Sequence, residues 1–494
     1  MTDEFEPPGA GGWMLLGDHF PGALTPEYQR LYAETCPSGM ATYMERYGVL
    51  ARSLDVAFVH GHLYVTPVPL AGPREMRRPP PSAAVWLMAR IHPAFRKRTR
   101  AARYALASRP WRDASARWFG SERAEWVGRN QALQDVDPST LNLEALRTHL
   151  HACRGNVAAG YRRHFELHGD DLLPPGLLLA RCAEWGIDAA TASRALAGAT
   201  PDDVGATEPA PWQLVTGYDL DCLAWCELDD VKQAEPRRLP PPLDLRPLVA
   251  EEHHAELARL VDDARLAVPL RDDNGVFTGA WPMGLLRRAM LEVGRRITFH
   301  DPAHVIELTV DELDQRLSGC AEPSADEAAS RARDRTANSA RQAPSRLGPE
   351  FAIPPLSALP RPLALMGAAQ LAAAENMTGL DAEVIGIGER CYTGRALVVD
   401  EPSDAFDLIE PGDVIITRAT SPTWNVVLGY AGALVTTTGG LLSHAAVLAR
   451  ELGIPALIGD RDARQRITTG TLVTVDPNAG TVSMATTSEE VSRG

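Results

Sequence analysis

Gly439-Gly440-Leu441-Leu442-Ser443-His444-Ala445-Ala446-Val447-Leu448-Ala449-Arg450, running on through Glu451-Leu452-Gly453-Ile454-Pro455, is the stretch that decides how this chain is read. Upstream, Ala433-Leu434-Val435-Thr436 has the composition of a buried strand. Downstream, Ala445, Leu448, Ala449 and Leu452 recur at helical spacing and predict a core-facing stripe. The order is strand, Gly-Gly turn, histidine, helix. A helix's first turn carries N–H groups without intrahelical partners and the positive end of the macrodipole. A phosphoryl group on the His444 imidazole would find its counter-charge there without a lysine. Gly439 and Gly440 would bring backbone amides close to it, and would equally make a tight strand-to-helix turn. Ser443 would either donate to a phosphate oxygen or cap the helix, and Arg450 would serve as a phosphate clamp or in a structural ion pair.

The segment resembles the swivelling phosphohistidine domain of the phosphoenolpyruvate-utilising enzymes. In that family the histidine follows a Gly-Gly turn and carries a phosphoryl group between distant sites. Gly394-Arg395-Ala396 with Leu397-Val398-Val399, then Pro411-Gly412-Asp413-Val414-Ile415, is similar to the domain's opening strands. Thr420-Ser421-Pro422-Thr423-Trp424 is similar to its next turn, and Gly453 to Gly459 to the strand after the helix. Many members have threonine two residues before the histidine, where this chain has Leu442. That departure resembles the rifampicin phosphotransferase and phenylphosphate synthase branch, which acts on organic small molecules.

The rest of the chain resembles a substrate-binding region of the same branch. The motifs are Pro21 to Pro26 after Trp13, Gly217-Tyr218-Asp219-Leu220, and Leu286 to Arg296 followed by His304 to Leu313. Together these imply an α plus α/β multidomain chain. A mainly helical substrate-binding domain over 1–320 would lead through a linker at 321–365 to a β/β/α swivelling phosphohistidine-like domain at 366–485, with a tail at 486–494. Ala321 to Pro355, rich in alanine, serine, arginine and proline, reads as that hinge-bearing connector.

Helical periodicity supports the first part. Leu286, Met290, Val293 and Ile297 recur on one side of a predicted helix, with Glu292 and Arg296 as an i,i+4 pair on the other. Leu141 to Phe165 and Ala189 to Leu196 read the same way. One hairpin is predicted, Val56–Val59 and Leu63–Thr66 flanking His60-Gly61-His62. His60 and His62 flank a turn with no carboxylate companion nearby in sequence, and read as turn residues ahead of a ligand role. His164, His168, Asp170 and Asp171 would serve either as acid–base groups for a substrate or as an ordinary helix end. Asp219 and Glu227 are weak pocket candidates beside Cys222, Trp225 and Cys226, which read as core.

The formal charge of -15 disfavours non-specific nucleic-acid binding. The basic stretch Arg96-Lys97-Arg98-Thr99-Arg100, with Arg103, Trp111, Arg112, Arg117 and Trp118, would hold RNA or a phosphorylated ligand, or form a solvated face with tryptophans turned inward. Seven scattered cysteines predict neither a disulfide framework nor a metal site. No apolar run approaches the ~20 residues of a membrane span, and the acidic start lacks a secretory signal's pattern, so the expected location is cytoplasmic.

Neither an ATP-grasp domain nor a phosphoenolpyruvate-binding barrel is recognisable beside these regions, and no G-x-x-x-x-G-K-[ST] loop occurs. Three readings follow. In the first, a separate ATP-grasp protein using ATP with Mg phosphorylates His444. The phosphoryl group then passes to a hydroxyl of a small organic substrate, as product or as activation for dehydration. In the second, His444 is a general acid or base in a nucleotide-independent cyclase, dehydratase or isomerase. In the third, the chain is a non-catalytic binding protein. No tightly bound cofactor is expected in any of them.

Overall fold

A computed structural model describes residues 4–17, 20, 22–74, 80–199, 241–297, 299–351, 353–378, 383–421 and 424–485. The chain divides into two units. Among described residues the larger holds 4–184 and 252–372, and the smaller holds 185–199, 241–251 and 373–485. Gly217 to Leu220, Cys222, Trp225, Cys226 and Glu227 lie outside the described residues, as do Pro422, Thr423 and the tail 486–494.

The larger unit is mainly helical. Its first helix, Pro26–Tyr47, starts with proline at N1 and ends at Gly48, whose φ of 72° lets its N–H reach the Met44 carbonyl. The long helix Leu143–Asp171 is capped by Asn142, whose side chain accepts the Ala145 N–H at 2.9 Å. The core these two share includes Tyr28, Leu31, Met44, Leu150, Val157 and Phe165. Their approach is tightest at Gly169, where a Cβ would overlap the Tyr47 ring. The predicted periodic helix is Trp281–Arg296, with Leu286, Met290 and Val293 fully buried and Arg296 bound to Glu292 at 2.7 Å.

A four-stranded sheet, order β2-β3-β1-β4, borders these helices: β1 Trp13–Leu15, β2 Ala51–Val59, β3 His62–Pro69 and β4 Arg346–Leu347. The predicted hairpin is β2–β3. Its two turn residues, His60 and Gly61, have φ of 51° and 81°, the left-handed pair a tight hairpin needs. His60 contacts the Glu4 carbonyl and His62 the Asn338 carbonyl, so both rings tie the hairpin to segments distant in sequence.

Ala321 to Pro355 differs from a free connector. It contains the helix Ala325–Ser339, capped by Ser324, and β4. Arg331 pairs with Glu312 and Arg335 with the buried Glu307, which fastens that helix into the larger unit. The unit boundary falls between Ala372 and Ala373, inside the helix Arg361–Thr378. The basic stretch is the solvated face with tryptophans turned inward: Arg96, Lys97, Arg100, Arg103 and Arg117 are exposed, Arg98, Trp111 and Trp118 are buried, and Arg112 pairs with Asp263.

The smaller unit is built on a seven-stranded sheet, order β11-β10-β6-β7-β8-β9-β5. Its strands are β5 Ile385–Ile387, β6 Tyr392–Val398, β7 Val414–Thr417, β8 Ala433–Thr436, β9 Ala456–Ile458, β10 Leu472–Asp476 and β11 Thr481–Met484. β6 to β9 run parallel, joined by the helices Pro402–Leu408, Asn425–Tyr430 and His444–Leu452. β7, β8 and β9 are buried throughout, as strands covered on both faces are. Among described residues no helix is long and apolar enough to cross a membrane.

Candidate functional site

The carboxyl ends of parallel strands are where open α/β sheets place their ligands, because the turns there leave helix N-termini facing outward. β7 and β8 end side by side at Thr417 and Thr436. Their following turns are tied together: Thr437 N–H donates to the Thr417 carbonyl at 3.1 Å, and the Thr438 hydroxyl to the Arg418 carbonyl at 2.9 Å. This cross-tie sets the turn after β7 against the turn after β8.

His444 stands at the first position of its helix, half-buried, with Ser443 as the N-cap. Its Nδ1 lies 2.8 Å from the Thr420 hydroxyl and its Nε2 2.9 Å from Asn425 Oδ1. An amide oxygen only accepts, so Nε2 carries the proton in this arrangement and Nδ1 accepts from Thr420. Ser443 Oγ accepts the Ala446 N–H at 3.4 Å, the capping role weighed for it from sequence. Arg450 is buried and donates to the Leu441 carbonyl at 2.9 Å, which braces the turn from behind. Glu451, also buried, accepts the Gly198 N–H at 3.1 Å, drawing the 185–199 segment onto the same helix.

The glycines earn their places differently. Gly439 has φ of 113°, a conformation side chains rarely adopt. Gly440 is constrained by contact, since a Cβ there would run into the Asn376 carbonyl. That carbonyl accepts the Leu442 N–H at 2.6 Å, so the end of the Arg361–Thr378 helix holds the turn in register.

Sequence reading placed His444, Gly439, Gly440 and Ser443 in one turn, and the structure brings them together there. It missed Thr420 and Asn425 as partners of the imidazole. Thr420 stood in a stretch read as a turn, and Asn425 was not singled out. The available signal was their position just after β7, beside β8 in a parallel sheet. Among described residues no group of histidine, cysteine or acidic side chains is arranged to hold a metal ion.

A parallel sheet with one imidazole at a capped helix start, behind a Gly-Gly turn, defines a class of phosphoryl-carrier domain. Residues 409–480 match the family described as PEP-utilising enzyme, mobile domain, and the smaller unit carries that domain. A Bacillus subtilis protein named uncharacterized phosphotransferase YvkC is 36% identical over 129 residues, 24% of this chain and 15% of its own length. The phosphoenolpyruvate synthase of Escherichia coli is 46% identical over 94 residues, 19% of this chain and 12% of its own. Chondramide synthase cmdD of Chondromyces crocatus is 38% identical over 132 residues, 26% of this chain and 3% of its own. The chain thus spans a small fraction of the length of each of these relatives.

Proposed function

We propose that this protein is a phosphotransferase in which His444 takes a phosphoryl group from a donor held by a separate ATP-grasp protein and passes it to a hydroxyl of a small organic substrate. The observation that carries the reading is the placement of His444 at a capped helix start, with both ring nitrogens held by neutral side chains. A neutral imidazole is the nucleophilic form, and the first-turn N–H groups offer counter-charge to the dianion it would acquire.

Phosphorylation at either nitrogen displaces one of the two partners, Thr420 or Asn425, and leaves the other to orient the ring. Breaking the N–P bond as the O–P bond forms returns an electron pair to the imidazole nitrogen, which takes up the proton released by the substrate hydroxyl. The chain's part in this loose transition state is alignment and charge stabilisation. A phosphorylated alcohol would be released or would proceed to elimination.

The test is to incubate the full chain with a separate ATP-grasp protein and ATP labelled in its phosphoryl groups, and with phosphoramidate as a partner-free donor. Acid-labile, base-stable label on the wild type and none on His444→Ala supports the reading. Label on neither protein from both donors, with turnover that needs His444 but no nucleotide, replaces it with acid–base catalysis.

A further inference from the structure

The larger unit presents the apolar side of one helix to solvent. Ser82–Ile91 buries only Val85 and Ala89, which belong to a small core with Ala358, Leu359 and Leu363. Ala83, Leu87 and Ile91 each stand two residues from one of that pair, about 200° around the helix, and so on its opposite side. All three are exposed, Leu87 by 50% and Ile91 by 58%. Trp86, also 50% exposed, flanks them with the Arg90 guanidinium 4.1 Å from its ring centroid. Ser82 and Arg90 are the only polar residues of this helix.

The next helix, Pro93–Ser108, follows after His92 alone, so its first turn begins beside Ile91. It exposes Arg96, Arg100 and Arg103 along one ridge, at spacings of four and three. Among the described residues none of these three has an ion-pair partner, whereas Lys97 next to them pairs with Glu45. Tyr104, four residues after Arg100, is exposed on the same ridge. From Ser82 to Ser108 there are six basic residues and no acidic one, in a chain whose formal charge is -15.

A contiguous apolar patch on a protein surface marks a place that another body covers. The arginines give the sign of that body, which is anionic. An approaching surface senses charges within roughly a Debye length of 8 Å, so the acidic remainder of the chain is screened and this face leads. Aliphatic side chains such as Leu87 and Ile91 offer nothing for nucleobases to stack on, which disfavours a nucleic acid. An outward helix face with tryptophan, an aliphatic crest and arginines alongside matches what rests at the headgroup level of a membrane. A lipid surface also needs no groove cut to the shape of the crest.

We propose that Trp86, Leu87 and Ile91, with Arg96, Arg100 and Arg103, form a peripheral docking face for an anionic lipid surface. The apolar side chains enter the headgroup boundary, and the arginines, long enough to bend toward it, meet the lipid phosphates. The face is independent of the chemistry at His444.

The full chain is sedimented with vesicles of phosphatidylcholine and phosphatidylglycerol in equal parts, and with vesicles of phosphatidylcholine alone. Binding to the mixed vesicles, weakened by added salt and stronger than binding to phosphatidylcholine, is expected. The triple variant Arg96→Gln, Arg100→Gln, Arg103→Gln should lower the partition coefficient about a hundredfold. Leu87→Ser with Ile91→Ser should lower it by about tenfold, and because both side chains are exposed the variant should keep the wild-type Tm. His444→Ala should bind as the wild type does. Absence of binding to the mixed vesicles overturns the proposal, as does equal binding to both kinds or binding that either surface variant leaves unchanged. An acidic protein in place of lipid would give another pattern. Vesicles would not bind, and the arginine changes would weaken labelling of His444 by the separate ATP-grasp protein while labelling from phosphoramidate persisted. That pattern also overturns the lipid assignment.

Discussion

At the His444 turn both imidazole nitrogens are hydrogen-bonded, the helix is capped, and the loop behind is lashed to its neighbour by backbone carbonyls. Around Tyr47 in the larger unit, Asp170 and Asp171 are buried beside aromatic rings, Asp170 accepting from the Tyr47 hydroxyl and Asp171 facing His168 at 3.6 Å. The two regions treat their central titratable side chains differently. A residue that must present one atom in a fixed direction is held by satisfied bonds, so little reorganisation is needed when it reacts. A carboxylate held inside a packed core, as Asp170 is, is shifted in its titration by burial and makes the unit's stability depend on pH.

That contrast can be broken most forcefully at the imidazole itself. His444→Ala should reduce phosphoryl transfer by at least about a thousandfold, about 4 kcal/mol of barrier, while shifting unfolding free energy by less than about 1 kcal/mol. Denaturant melts beside transfer assays check this, and a large loss of stability would show that the histidine is structural.

The next effect belongs to the larger unit and depends on pH. Burial is the main cause that raises the Asp170 carboxyl from its usual 3.8 to about 6, against the lowering influence of Arg46, the Tyr47 hydroxyl and Arg163, with Asp171 adding to the rise. An acid whose folded pKa is raised contributes stability below its unfolded pKa, and that contribution is lost as pH rises through the folded value. Between pH 4 and pH 7 the wild type should therefore lose on the order of 3 kcal/mol from this group. Asp170→Asn should flatten that slope. Equal slopes for the two proteins in urea melts would remove Asp170 as the cause.

Gly440→Ala tests how tightly the His444 turn is fixed. With the Asn376 carbonyl in the way, the added methyl should cost about 1–3 kcal/mol and slow phosphorylation along with it. A variant with wild-type Tm and rate would show that the turn yields easily. Thr420→Val, which keeps the shape but removes the hydroxyl at Nδ1, should slow phosphoryl transfer about tenfold, or about 1.4 kcal/mol. Single-turnover kinetics decide it, and an unchanged rate would make that hydrogen bond incidental. Smallest of all, Ser443→Ala should lower stability by about 1 kcal/mol through loss of the cap. A much larger loss of transfer than of stability would give Ser443 a role at the phosphate as well.

Local chemistry is what the sequence disclosed well. The strand, turn and helix around His444, the tight β2–β3 hairpin and the Glu292–Arg296 pair depend on neighbours a few residues apart, and all three are found as expected. Thr420 reaches His444 across 24 positions, and Tyr47 reaches Asp170 across 123, through pairings no periodicity encodes. The 321–365 stretch misled for a related reason. Its alanine, serine and arginine content suits a mobile connector as well as a helix, and the carboxylates that fix it, Glu307 and Glu312, lie outside it.

Among the described residues the backbone passes between the units after Glu184, after Glu251 and after Ala372. Consequently, no single proteolytic cut releases the histidine-bearing unit whole. A fragment beginning at Ala373 would leave behind the strip whose Gly198 amide donates to the buried Glu451, in the very helix that starts with His444. Isolation of that unit calls for co-expression of the strip, or for its fusion to the fragment.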